Sequence, residues 1–214
     1  MQEISWKDNL RIAWFGCFLT GASISLVVPF MPIFVEQLGV KGDQVAFYSG
    51  LAISVSAVSA AFVSPIWGIL ADKYGRKPMM IRAGLAMTIT MGGLAFVPNI
   101  FWLLFLRFLN GVFTGFVPNA TALIASQVPK DKSGYALGTL STGVVAGTLT
   151  GPFVGGLIAE FFGIRNVFLL VGSFLFLAAI LTILFIKEDF QPVTKEKALP
   201  TKELFKSVKY PFLL

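Results

Sequence analysis

Length, composition and charge together limit the class of this protein. Of its 214 residues 56% are hydrophobic and only 13% are charged, and the mean hydropathy is +0.79. Soluble domains carry roughly 25% charged residues, so a soluble fold is excluded. Histidine is absent and Cys17 is the single cysteine, which excludes disulfide frameworks and Cys/His metal sites and predicts no metal and no cofactor.

Six apolar segments are each long enough to cross a bilayer, which takes about 20 residues. In chain order the predicted spans are Ile12–Val35, Ala46–Ala71, Met79–Val97, Phe101–Ser126, Ser133–Phe162 and Val167–Ile186. Short polar or glycine-containing joints separate them. The sequence therefore predicts an all-α integral membrane domain over residues 1–186.

Lysine and arginine residues near the span ends predict the orientation. One side carries fourteen of the seventeen basic residues, Arg82 included, whereas the other side has only Lys41 and Arg165. Arg107 lies within a span. Both ends of the chain are therefore predicted to be cytoplasmic. The net charge of +6 follows this topology, so we expect no nucleic-acid partner.

In the first span, Pro29 and Pro32 lie three residues apart near the predicted outer end. Proline removes a backbone donor and bends a helix, so a bend is expected there. No acidic residue lies within this span, and Glu36 comes just beyond it.

The joint between spans two and three reads Gly68-Ile-Leu-Ala-Asp72-Lys-Tyr-Gly75-Arg76-Lys77. Gly75 permits a turn with positive φ, and Gly68 permits close helix approach. Asp72 at a membrane edge needs a cation or a helix N-terminus. The joint resembles the signature loop Gly-x-Leu-Ala-Asp-x-x-Gly-Arg-Lys of the major facilitator superfamily, which implies a cytoplasmic gating latch. Alternatively, the basic residues of the joint are only membrane anchors.

Arg107 in span four is interpreted as the only ionisable residue deep in any span, which makes it a functional candidate. A polar stripe at helical spacing contains Arg107, Asn110, Gly111, Thr114 and Pro118. The stretch Leu104–Gly111 resembles the family's proton-translocation element, although Asn110 replaces the usual Gln and Phe113 a small residue. The resemblance implies proton coupling by Arg107. The alternative is an arginine paired with a neighbouring helix for assembly only.

Span five carries a glycine at every fourth position, namely Gly143, Gly147, Gly151 and Gly155. Such a row lies on one helix face and permits a close helix contact. The segment Gly147–Gly156, with Gly151, Pro152 and the Gly155-Gly156 pair, resembles the antiporter motif Gly-x-x-x-Gly-Pro-x-x-Gly-Gly of drug:proton exporters. We expect the partner helix to lie in a second half of the protein, which leaves this face open to lipid here.

The chain contains an internal repeat. Gly68–Gly75 and Gly156–Gly163 share glycine, aliphatic, alanine, acidic and aromatic positions at an offset of 88 residues. An odd number of spans separates the copies, so they are predicted to run in opposite directions across the membrane. An inverted 3+3 repeat is common in secondary transporters.

Residues 187–214 are polar and alternate in charge, and are similar to the cytoplasmic linker of twelve-span transporters. Leu204, Phe205 and Val208 suggest a helix on the membrane surface. The last residues, from Tyr210, read as the start of a seventh span. We therefore expect a natural protein of about twice this length, whose missing C-terminal six-helix half is a partner of this chain.

The chain is identified as a member of the superfamily's drug:proton antiporter family, at its N-terminal half. The resemblance implies a bacterial plasma-membrane pump that exchanges protons for hydrophobic drug-like molecules by alternating access, and so confers antibiotic resistance. The implied substrate cavity comprises Ser25, Pro29, Asn110 and Thr114. The main alternative is a specific metabolite or sugar exporter of the same fold; a half-size homodimeric transporter and a membrane scaffold are the others. No nucleophile or phosphate motif indicates an enzyme.

Overall fold

The computed structural model describes residues 5–190, and within that range the chain consists of helices and their joints. Eight α-helices follow in chain order: α1 (Trp6–Val27), α2 (Met31–Gln37), α3 (Gln44–Tyr74), α4 (Arg76–Gly93), α5 (Ile100–Phe113), α6 (Phe116–Gln127), α7 (Ser133–Phe162) and α8 (Ile164–Phe185). Three short 3-10 turns complete the order, at Val28–Phe30, Leu94–Phe96 and Lys130–Lys132.

These helices form six spans that are long and apolar enough to cross a membrane. Their bounds are Trp6–Gln37, Gln44–Tyr74, Arg76–Phe96, Ile100–Gln127, Lys130–Phe162 and Ile164–Phe185. The prediction of six spans is confirmed. Most ends extend a few residues beyond the predicted bounds, because the helices continue into the polar joints.

Two spans are interrupted. The first changes to a 3-10 turn at Val28–Phe30, between α1 and α2, where the two prolines predicted a bend. The fourth is interrupted at Thr114 and Gly115, and Gly115 has a φ of +131° that only glycine adopts easily. The sequence did not predict this second interruption.

The inverted repeat is confirmed by backbone geometry at its two joints. Gly75 lies between α3 and α4 with φ 101° and ψ 160°, and Gly163 lies between α7 and α8 with φ 85° and ψ 161°. Each glycine donates its N–H to the alanine four residues earlier, at 2.9 Å to Ala71 and 3.0 Å to Ala159. The same conformation therefore recurs at an offset of 88 residues.

The third helices of the two units, α4 and α8, pack closely along their length. A Cβ on Gly84 would lie 2.9 Å from the Cβ of Ala179, and one on Gly172 would lie 3.0 Å from the Cα of Gly92. Small residues therefore allow the two backbones to approach.

Basic side chains connect the ends of this helix pair. Lys77 Nζ donates to the carbonyl oxygen of Ile183 at 3.1 Å, and Arg165 Nη1 donates to that of Ala95 at 2.6 Å. Arg165 Nη2 also donates to Val97 at 3.2 Å. Since 165 and 77 differ by 88, as do 183 and 95, the repeat reproduces this contact on both faces of the domain.

The glycine row of α7 packs inside this domain, so the prediction of a partner in the second half is wrong. A Cβ on Gly143 would lie 2.7 Å from the carbonyl oxygen of Trp14, and one on Gly151 would lie 2.6 Å from that of Ala22. Gly147 faces Phe18 and Ala22 even more closely. The four glycines of the row are buried against α1. Gly156 has no atom within 4 Å of a Cβ position in the described chain, and it does not widen the contact.

The second helices of the two units, α3 and α7, expose large apolar side chains. Phe62 and Ile69 on α3 are 78% and 69% exposed, and Leu149 and Phe153 on α7 are 74% and 72% exposed. These faces contact lipid or further protein, because water would disfavour patches of this size. The hypotheses concerning Leu204, Phe205, Val208 and the start of a seventh span lie outside the described residues.

Candidate substrate and coupling site

A cavity of about 240 Å³ lies between the first four spans. Its lining consists of Ile24, Val28, Ile53, Ser56, Ala57, Ala60, Met87, Met91, Arg107, Asn110, Gly111 and Thr114. Most of these residues are apolar, and three of the four polar ones lie on α5 or directly after it. An apolar wall with a few oriented polar groups is typical of a site for small organic molecules.

Arg107 is buried in this wall, with 7% of its surface exposed. Its Nε donates to the carbonyl oxygen of Ala52 on α3 at 3.0 Å, and its Nη1 lies 3.8 Å from the sulfur of Met91 on α4. The described residues give it no carboxylate partner. A buried guanidinium held only by a carbonyl and a thioether retains strong attraction for an anion.

Asn110 and Gly111 fix the helix that carries Arg107. The Asn110 amide donates to Thr90 Oγ1 at 3.1 Å, and Ser56 Oγ lies 3.5 Å from the amide oxygen. A Cβ on Gly111 would collide with Ser59 Oγ and the carbonyl of Ser56, so α5 lies directly against α3. The position of Arg107 is therefore determined by contacts to both α3 and α4.

The predicted cavity residues separate into two groups. Asn110 and Thr114 line the cavity with Arg107, as expected. Ser25 instead donates to the carbonyl oxygen of Thr148 on α7 at 2.7 Å, and Pro29 is exposed beside Val28 outside the cavity lining. Ser25 and Pro29 therefore do not line this cavity within the described residues, and their role in a substrate cavity stays a prediction. Pro118 lines a smaller neighbouring pocket that also contains Gly68 and Arg76.

In the predicted gating loop, Asp72 pairs with Arg76 one turn later, which is one of the partners expected for it. The Asp72 side chain remains 58% exposed. A Cβ on Gly68 would meet no described atom within 4 Å, so the close helix approach expected there does not occur in this domain. Gly75 adopts the predicted positive φ.

Glu188 belongs to this loop, although the sequence placed it in the linker. Its two carboxylate oxygens accept the backbone N–H groups of Arg76 and Lys77, each at 2.7 Å. Those N–H groups begin α4 and have no partner within the helix. A carboxylate there also interacts favourably with the helix dipole. The only sign of this role in the sequence is an acidic residue two positions after the predicted sixth span, and an ordinary linker residue looks the same.

Arg82 is a second arginine within the described spans, in Arg76–Phe96, and it is partly buried, whereas the interpretation of Arg107 as the only ionisable residue deep in a span stays a prediction. Arg82 lies on α4 six residues after its start at Arg76, a rise of about 9 Å. Its guanidinium stacks 3.4 Å above the ring of Trp67, and its Nη2 donates to the carbonyl oxygen of Thr114 at 3.2 Å. The side chain of Arg82 is therefore held by contacts to α3 and to the residue that follows α5.

Comparison with known families decides the class of the protein. The family described as Major Facilitator Superfamily matches residues 13–213. The chain belongs to this superfamily. It is thus a multi-pass membrane protein of a transporter family.

Curated relatives of the chain carry multidrug-resistance names. The chain is 88% identical over 214 residues to "Multi-drug resistance efflux pump PmrA" of Streptococcus pneumoniae, covering 100% of the chain and 54% of that relative. It is 52% identical over 212 residues to "Multidrug resistance protein MdtG" of a Rahnella species, covering 99% and 52%. The chain thus spans about half the length of the curated relatives it matches.

A solved superfamily structure shares the fold. The human organic anion transporter MFSD10 (TETRAN) superposes with a TM-score of 0.76 at 16% identity, over 87% of this chain and 49% of that one. At this identity the likeness supports the fold alone. The six helices therefore form the N-terminal half of the superfamily fold.

Proposed function

We propose that this chain is the N-terminal half of a twelve-span, proton-coupled antiporter that exports hydrophobic drug-like molecules by alternating access. The single observation that carries the proposal is Arg107, which is buried at the wall of an apolar cavity and has no carboxylate partner in residues 5–190. Such a cation favours binding of an anionic group whose protonation changes during transport.

The coupling step follows from the electrostatics of Arg107. A carboxylate brought near the guanidinium is stabilised in its charged form, and it is released when it takes up a proton. No buried Asp or Glu occurs among the described residues. The carboxylates that bind the transported proton are therefore proposed to lie in the C-terminal half.

The chemistry of the cavity supports a bulky apolar substrate, and its size requires a contribution from the second half. Sites for drug-sized ligands have volumes of roughly 300–1,000 Å³, whereas this cavity has about 240 Å³. A second half that faces Arg107 would enlarge it into that range. Ile24, Ile53 and Met87 provide apolar contact, and methionine adapts to irregular shapes.

The relatives' names and the exposed helix faces support the remaining parts. Relatives at 88% and 52% identity are named as multidrug proteins. The exposed apolar faces of α3 and α7 occupy equivalent positions in the two units, which suits a pseudo-symmetric second half. In this proposal residues 1–186 form the transmembrane domain, residues 187–214 begin the linker, and both ends are cytoplasmic. Gly68–Lys77 is the gate, and the Gly147–Gly156 segment supports antiport.

The experiment measures dye efflux driven by a proton gradient, in inverted vesicles that contain the transporter expressed from its full reading frame. We expect Arg107→Ala to abolish efflux at an unchanged protein level in the membrane. Arg107→Lys should retain only part of it, because lysine lacks the planar set of donors. Full efflux by Arg107→Ala would refute the coupling role.

Two further arms separate the alternatives. Collapse of the gradient with an uncoupler should stop efflux, because export depends on proton entry. Chemically unlike organic molecules should compete with the dye. Competition by one compound class only would indicate a specific metabolite or sugar exporter.

A further inference from the structure

The interruption of the fourth span leaves backbone carbonyl groups without helical hydrogen bonds, and two side chains donate to them. Helix α5 ends at Phe113, so its last carbonyl groups have no intrahelical donor. Unpaired backbone groups are costly within a bilayer. The carbonyl oxygen of Val112 accepts from Trp67 Nε1 at 2.6 Å, and that of Thr114 accepts from Arg82 Nη2 at 3.2 Å.

The two donors act as one unit. The Arg82 guanidinium lies 3.4 Å above the Trp67 ring, a cation–π contact that orients both groups towards the end of α5. A cation is also favourable at a helix C-terminus. Arg82 Nε and Nη1 are buried without a hydrogen-bond partner among the described residues. The ring and the helix end are thus the main groups that hold this charge. We call Trp67 and Arg82 the clasp.

The clasp joins the proposed gate to the cavity helix. Trp67 precedes Gly68 on α3, and Arg82 lies on α4, so the Gly68–Lys77 loop connects the two helices that carry the clasp. Arg107 lies on α5 two turns before Thr114. Two hydrogen bonds therefore connect the helices on both sides of the loop to the end of α5.

We infer that Trp67 and Arg82 are positioning residues for transport, which hold the interruption of the fourth span and make α5 move together with the gate. This inference rests on the proposed function. Of the two carbonyl groups that the clasp binds, only that of Thr114 belongs to the described cavity lining. Its loss should slow the change between states and leave substrate binding nearly intact.

The first test uses conservative variants of the transporter expressed from its full reading frame. Arg82→Lys keeps the charge but loses the planar guanidinium, and Trp67→Phe keeps the ring but loses the N–H donor. Each should lower the maximal efflux rate about 3- to 20-fold, the range of one interhelical hydrogen bond in a membrane. The half-saturating substrate concentration should change by less than about twofold.

Lys130→Gln is the matched control. Lys130 is an exposed cation in the joint before α7, outside the gate, and its substitution should leave the rate unchanged. A second readout is thiol labelling of Lys73→Cys, since Cys17 is buried and so is shielded from a water-soluble reagent. Substrate should alter the labelling rate in the parent but not in Arg82→Lys.

Three results would overturn the inference. Parent rates in both Arg82→Lys and Trp67→Phe would show that the clasp has no role in transport. Loss of both variants from the membrane would make it an assembly contact only. Labelling that responds to substrate equally in the parent and in Arg82→Lys would exclude coupling to the gate. If the parent and Lys130→Gln show no gradient-driven efflux, the proposed function fails, and the labelling comparison still decides the clasp.

Discussion

Gly151 provides a direct test of the contact between α1 and α7. We consider Gly151→Ala, which adds one methyl group to the buried glycine row. Its Cβ would lie 2.6 Å from the carbonyl oxygen of Ala22 and 3.3 Å from that residue's Cα. Both neighbours are backbone atoms, so rotation of a side chain cannot relieve the overlap.

The expected cost follows from this geometry. Real Cβ atoms rarely approach closer than 3.0 Å, so α1 and α7 must separate by at least about 0.4 Å, and overpacking of this kind costs about 1–3 kcal/mol. Alanine in place of glycine within a helix contributes about 0.8–1 kcal/mol in the opposite direction. The control must therefore be a glycine-to-alanine change in the same helix that gains the same helix propensity but meets no neighbouring backbone.

Gly156→Ala is that control, because a Cβ there meets no described atom within 4 Å in the same helix. The measurement is the melting temperature of both variants in one detergent. A difference of 1–3 kcal/mol corresponds to about 2–12 °C for a domain of this size. Gly151→Ala should melt lower than Gly156→Ala by that amount.

Equal melting temperatures would refute the reasoning, since the α1–α7 contact would then not exclude a methyl group. A difference that appears only when the C-terminal half is present would also refute it. That result would return the glycine row to the interface between the halves.

Three further predictions concern the joints. Asp72→Asn should slow efflux more than it weakens substrate binding, and a parallel loss of binding would contradict a gating role. The exposed ion pair of Asp72 with Arg76 is worth less than about 1 kcal/mol, so a slowdown beyond about fivefold would require a contact outside the described residues. Glu188→Gln should lower the stability of the detergent-solubilised protein by about 1 kcal/mol, because it removes a charge from the N-terminus of α4, whereas Asp189→Asn, at an exposed neighbour, should not change it. Arg165→Gln should lower the free energy of unfolding by about 1.5–3 kcal/mol, because it removes two charged hydrogen bonds. Its effect should add to that of Lys77→Gln, because the two sites lie at opposite ends of the α4–α8 pair, and strong non-additivity would argue against independent contacts.

The sequence predicted the parts of the fold that depend on local composition. Long apolar runs located the six spans, because a bilayer imposes a minimum length. The 88-residue offset predicted the inverted repeat, and Gly75 predicted a turn that needs positive φ. Each of these signals depends on neighbouring residues or on a comparison of the chain with itself.

The sequence could not show which helices pack against each other. A glycine row indicates that some backbone comes close, but only the packing shows that α1 is the partner. Arg82 lies near a predicted span end, where arginines usually anchor, and only tertiary contact shows its ring partner Trp67. Glu188 lies 112 residues from Arg76, whose N–H it accepts. The position of Gly115 depends on donors from two other helices.

The paired contacts of Lys77 and Arg165 have a consequence for the origin of the domain. Each three-helix unit ends in carbonyl groups that receive their donor from the first turn of the other unit's third helix. Neither unit alone therefore contains the donors that its own end requires. An ancestral unit of three helices would have met this need by pairing with a copy inserted in the opposite direction. Gene duplication and fusion would then have made that antiparallel dimer permanent.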